Sequence, residues 1–163
     1  MNYIKKTIFI FCLNITNILI GWSGHAIPMT FDKSSNQWLV LLMHNPITGL
    51  WQDFWYNPKP EEDRAHQTAA RALRELTSGV YNVNLKGSTW FNDNNKILHF
   101  VTVDYIPANT LRENGCNANA DNFFWLTLST LLTTQAATIE HNGKHAAVSV
   151  HTKHAIKMFA PKF

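Results

Sequence analysis

Between about Asp63 and Thr77 the chain has helical spacing. Ala65, Ala69, Ala72, Leu73 and Leu76 fall on one stripe, Arg64, Gln67, Arg71 and Arg74 face away, and Gly79 supplies a stop. Such a helix needs a surface for its stripe, and strands stand on both sides of it in sequence. Ala26–Phe31 and Gln37–Met43 read as two strands joined by the polar turn DKSSN. Pro46–Gly49 breaks the pattern, Leu50–Tyr56 is aromatic-rich, and the proline-punctuated NPKPEED leads into the helix. Further on, Thr89–Phe91 and Lys96–Tyr105 read as strands around NDNN. Pro107–Asn122 reads as a loop and Trp125–Thr133 as a short helix. Thr138–Val150 reads as a hairpin around Asn142-Gly143, and His151–Phe159 as a closing helix. Strands and helices alternate without repeats, so the class is α/β or α+β in one domain, which suits 163 residues.

Hydrophobic residues make up 45% of the chain and include its six Trp, four Tyr and ten Phe, enough for a substantial core and against wholesale disorder. The formal charge is +3, but Lys5 and Lys6 lie ahead of every acid. From Ile27 onward 12 basic residues face 11 acidic ones, which leaves no basic footprint for nucleic acid. Cys12 and Cys116 make no disulfide scaffold, and no CxxC spacing suggests structural zinc.

Residues 1–26 have the layout of an export signal. Two lysines precede Thr7–Ile20, apolar except for Thr7, Asn14, Thr16 and Asn17, and Gly24 and Ala26 follow in a small-x-small arrangement. Gly21 and Ser23 offer a second cut. The apolar run is short of the roughly 20 residues a spanning helix needs, so no stable membrane insertion is expected once the signal is cut. This divides the chain into 1–26, a signal, and 27–163, one domain of an exported protein. The alternative is a cytoplasmic protein with a buried N-terminal strand or helix.

The segment GLWQDFWYNPKPEEDRAHQTAARALRELTSGVY, Gly49–Tyr81, resembles the signature region of Nudix hydrolases. Gly49–Phe54 is similar to the strand that runs into their glycine-rich loop, and Thr68–Arg71 through Gly79 is similar to their signature helix. Phe124-Trp125 and Leu131-Leu132 are similar to an aromatic-leucine pattern late in the family. The resemblance, over about residues 25–160, implies an α/β/α sandwich with a mixed sheet. It also implies Mg²⁺- or Mn²⁺-dependent cleavage of a diphosphate linked to a nucleoside or similar group. A diphosphate repels a nucleophile until cations neutralise its oxygens, and Mg²⁺ prefers carboxylate oxygens plus retained waters.

The family's metal-holding glutamates lie one, four and five residues beyond the motif arginine. With Arg71 as that arginine, these positions are Ala72, Glu75 and Leu76, and Trp55 and Tyr56 replace the glycine pair. Glu75 is therefore the candidate catalytic carboxylate and metal ligand, with Asp63 and Glu62 as further metal ligands. Glu75 reads equally as a surface acid paired with Arg71 four residues earlier. Glu61, Glu62 and Asp63 also suit a helix N-terminus. Trp55 and Tyr56 form a candidate aromatic platform for a planar, nucleotide-like ligand, with Arg71 beside it. Asp53, Asp104 and Glu113 are further acids, each a candidate base. His141, His145, His151 and His154 cluster near the C-terminus, and zinc held by imidazole is conceivable there. Two functions remain open: a divergent hydrolase of a nucleoside-diphosphate-type substrate with a weakened metal site, or a Nudix-fold protein that binds a ligand or partner without hydrolysis.

Overall fold

A computed structural model describes residues 21–113, 122–133, 138–141 and 144–159. The first twenty residues, with most of the candidate signal, and Cys116 lie outside these. The central strand is β1 (Ser23–Asp32), whose first eight residues are all buried. Along one edge it pairs in parallel with β6 (Lys96–Thr102). Along the other it is antiparallel to two strands in turn: β4 (Phe54–Tyr56) at Gly24–Ala26, then β2 (Gln37–Asn45) at Met29–Asp32. β2 also carries β3 (Leu50–Gln52) and β7 (Phe123–Thr127), and β5 (Thr89–Asp93) closes the far edge on β6. A separate hairpin, β8 (Thr138–His141) and β9 (Lys144–Ala147), adjoins β3 through a parallel bridge between Trp51 and Val148.

Strand alternation divides the buried residues between two faces. Ile27, Met29, Val40, Leu42, Leu98 and Phe100 turn to one side and meet Ala155, Ile156 and Phe159 of a helix at Val150–Phe159. Ala26, Leu41, Phe54 and Phe123 turn to the other and meet Ala69 and Leu73 of α1 (Ala65–Leu76). Between these helices in sequence come α2 (Ala108–Glu113) and α3 (Leu128–Thr133), so the helix at Val150–Phe159 is α4. The result is an α/β/α sandwich with a mixed sheet. Among the described residues no helix is long and apolar enough to cross a membrane.

The expected helix forms with local devices at both ends. Gln67 Oε1 accepts the Asp63 and Arg64 backbone N–H groups at 3.2 and 3.1 Å. Gly79, at φ +85°, donates its N–H to the Arg74 carbonyl at 2.7 Å and turns the chain away. Two elements depart from expectation. Phe123–Thr127 pairs with β2, so the segment read as one helix from Trp125 splits into a strand and then α3. The aromatic run favours the pleated surface. The segment read as a loop from Pro107 contains α2.

β1 begins at Ser23, so the expected boundary after Ala26 falls inside it. The small residues there have a packing reason. A Cβ placed on Gly24 would lie 2.5 Å from the Ala65 carbonyl oxygen and 2.8 Å from the Ala69 nitrogen. Glycine is what lets α1 cross β1 this closely. Gly24→Val should therefore cost about 1–3 kcal/mol, the range of overpacking in a well-packed core. A chemical-denaturation midpoint unchanged by that substitution would contradict the crossing.

Candidate functional site

The loop 57–63 folds back on α1 and is held there by one arginine. Arg71 Nε donates to Glu62 Oε1 at 2.7 Å, and Nη2 donates to Glu62 Oε2 at 3.0 Å and to the Asn57 carbonyl at 2.9 Å. The same carboxylate accepts from Thr68 Oγ1 at 2.8 Å and from the Lys59 backbone N–H at 2.9 Å. The Arg71 guanidinium lies over the Tyr56 ring, 4.8 Å from its centre. Its remaining nitrogen, Nη1, is 3.6 Å from Glu75 Oε2, and Lys59 Nζ is 3.9 Å from Glu75 Oε1. Arg71 and Glu62 side chains are 11% and 10% exposed, against 40% for Glu75. The charge-assisted hydrogen bonds from Arg71 hold the Glu62 carboxyl down at about 2, and Glu62 in turn raises Arg71.

The carboxylates expected as metal ligands thus meet cations of the protein. Glu62 and Glu75 converge on Arg71. Asp63 does not join them: its side chain is 77% exposed and lies 3.9 Å from Arg64. The turn through Lys59 sends Glu62 inward and leaves its neighbour in solvent. Ala72 is fully buried, and Leu76 packs against the same core, so two positions of the signature face are wall rather than ligand. Tyr56 and Trp55 are adjacent on β4 and therefore point to opposite faces of the sheet. Tyr56 lies under Arg71, whereas Trp55 stacks on His25 across the sheet (5.7 Å, 16°).

No family model matches the chain, and no curated protein matches it. Solved structures do. A mutT/nudix family protein from Listeria innocua superposes with TM-score 0.54 at 17% identity, covering 87% of this chain and 93% of that one. The NUDIX domain of Shewanella oneidensis NrtR, complexed with ADP ribose, gives 0.53 at 16% identity over 86% of each chain. The C-terminal domain of mouse MUTYH, in complex with human PCNA, gives 0.53 at 17%, covering 86% of this chain and 88% of that one. The chain has the Nudix fold.

α1 is the segment that the sequence resemblance matches to the signature helix, but its residues do not fit Mg²⁺ or Mn²⁺. Both oxygens of Glu62 are spent on Arg71, Thr68 and Lys59, and Glu75 stands between two cations. Among the described residues no group of three His, Cys, Asp or Glu is placed to hold a metal. Of the C-terminal histidines, His151 and His154 share one carboxylate and His141 stands apart. His151 Nδ1 donates to Asp93 Oδ2 at 2.8 Å with His154 Nδ1 at 3.5 Å from the same oxygen, while His141 stacks on Phe124. The side chains of His145 and Glu113 lie outside the described residues, and Asp104 is exposed.

Beside α1 lies a cavity of about 470 Å³ whose walls include Lys59, His66, Arg71, Arg74, Asn82 and Asn84. Across the sheet a smaller cavity of about 220 Å³ is lined by Ser23, His25, Asp53, Trp55, Lys96 and His151, among others. Asp53 is buried against His25. Ser23 and His25 escaped the sequence reading because they fell in the candidate cleavage region. The signal was present: residues two apart in a strand share a face.

Acid should expose two separate titrations. Burial pushes the His99 imidazole from 6.5 down to about 4, so the unfolded chain binds its proton first and stability falls between those values. Glu62, depressed from 4.5 to about 2, contributes stability that is full above 4.5 and lost as pH falls to about 2. Arg71→Met should cost about 2–3 kcal/mol at neutral pH, below the roughly 3–5 of a wholly buried pair because a tenth of this one meets water. Unfolding free energies measured against pH should show the wild-type–mutant difference vanishing toward pH 2. A pH-independent difference would contradict the role given to Glu62.

Proposed function

We propose that the protein is a Nudix-fold binding protein for an anionic, nucleotide-like ligand and does not rely on metal-dependent diphosphate hydrolysis. One observation carries this reading. Glu75, the one acid left at the three positions where the resemblance calls for carboxylates, stands between Lys59 and Arg71, so side-chain cations lie where a dissolved cation would be needed. A diphosphate bound beside α1 would be neutralised by Lys59 and Arg74, with Arg71 adding charge although its donors are engaged within the protein. Asn82 and Asn84 offer donors and acceptors for a polar ring edge. The ADP-ribose bound by the Shewanella neighbour and the protein partner of the mouse neighbour support a fold used for binding.

Calorimetric titration with ADP-ribose and with ADP, in the presence of EDTA, tests this. Saturable binding that weakens with salt is expected, reduced at least tenfold in the Lys59→Ala, Arg74→Ala double variant. Heat-silent titrations with both ligands would contradict it. The half-exposed Glu75 favours the second reading, a hydrolase with one weak metal carboxylate. Metal-dependent turnover lost in Glu75→Gln would establish that reading instead.

We also infer export of the chain, with the leader cut at or ahead of Trp22 so that β1 stays whole. Mass spectrometry of the mature protein should find an N-terminus no later than Ser23. A chain beginning at Ile27 would refute the placement of the cut, and an intact Met1 would refute cleavage.

A further inference from the structure

On the sheet face turned away from α1, three side chains form an unbroken relay. Asp53 Oδ2 accepts the Nδ1–H of His25 at 3.0 Å, which fixes the tautomer and leaves Nε2 as an acceptor. Ser23 Oγ lies 2.7 Å from that Nε2 and donates its proton to it. All three residues are at least nine-tenths buried, and the Trp55 ring stacked on His25 holds the imidazole plane. The relay is not sealed in the core, because Ser23, His25, Asp53 and Trp55 all line the 220 Å³ cavity. Two further groups face the same space. Lys96, paired in register with Ser23 across the parallel β1–β6 edge, brings a cation. His151, in the first turn of α4, is oriented by Asp93. The first N–H groups of α4 have no partners within the helix.

We propose that this cavity is a serine-nucleophile site that hydrolyses small carboxylic esters, with Ser23 as nucleophile, His25 as general base and then general acid, and Asp53 as its positioning residue. The inference does not rest on the nucleotide reading, since it uses the opposite face of the sheet. Ser23 Oγ adds to the ester carbonyl carbon while its proton passes to His25 Nε2, and the carbonyl electron pair moves onto oxygen. Lys96 supplies the charge that faces this oxyanion. On collapse the bond to the alcohol oxygen breaks, and that oxygen takes the proton from His25, leaving an acyl group on Ser23. Water then adds to the acyl carbon and gives its proton to His25. The acyl–Oγ bond breaks and Ser23 recovers a proton. The balance is ester plus water to acid plus alcohol. A cavity of this volume limits the acyl group to a few carbons.

The full chain treated with a fluorophosphonate probe and with p-nitrophenyl acetate tests the site. One probe molecule is expected on Ser23, located by peptide mass spectrometry, and ester turnover should fall at least a hundredfold in Ser23→Ala. Asp53→Asn removes the acceptor that fixes the His25 tautomer, so it should lower both the labelling rate and kcat, with little change in KM. Wild-type protein that is folded by circular dichroism yet leaves Ser23 unlabelled would overturn the proposal. So would turnover that survives Ser23→Ala. Should Ser23→Ala fail to fold, labelling of the wild-type chain decides.

Discussion

The grip of Arg71 on Glu62 organises everything on the α1 side of the sheet. A single guanidinium ties the exit of β4, through the Asn57 carbonyl, to the loop at Glu62 and to the middle of α1. A carboxylate this enclosed is tolerable only because it is paired, and removing either partner would leave a desolvated charge behind. The pair also fixes what the site can do. A metal ion would have to displace a permanent cation from Glu62 and outcompete Arg71 and Lys59 for Glu75. The polar face of α1 is part of the scaffold, its carboxylates held by side-chain cations.

The positions neighbouring Arg71 point the same way. Ala72 is fully buried and Leu76 lies against the core, so the helix is packed through the face where the resemblance reserves carboxylates. Gly24 allows the close approach that makes this packing possible. The site and the core are therefore not separable here: restoring acids on α1 would put charge where the sheet now meets the helix.

Local periodicity made much of the fold legible. The Ala/Leu stripe and its glycine stop marked α1, and the apolar runs QWLVLLM and KILHFVTV marked β2 and β6. What sequence could not supply was contact between distant segments. Gly24 and Ala26 are small, which suits a peptidase cleavage motif as well as a crossing helix, and only the position of α1 distinguishes the two. Trp125 became part of a strand because β2 offered an edge to pair with. In the site, Glu62 rather than Asp63 faces Arg71 because of a tight turn whose register composition does not reveal. Trp55 and Tyr56 were readable as aromatic but not as divided, although strand alternation requires neighbours to part. Those two residues now belong to different chemistry, one over a guanidinium and the other over an imidazole hydrogen-bonded to an acid and a serine.

With Arg71 and Lys59 holding Glu62 and Glu75, Mn²⁺ should find no site on α1. The most direct measurement is paramagnetic broadening of backbone amide resonances during titration with Mn²⁺, which reports where a metal sits without requiring any substrate. The amides of Glu62, Arg71, Glu75 and their neighbours should keep their intensity until broadening becomes uniform over the exposed surface. Selective loss of those signals at low Mn²⁺, centred between Glu62 and Glu75, would contradict it.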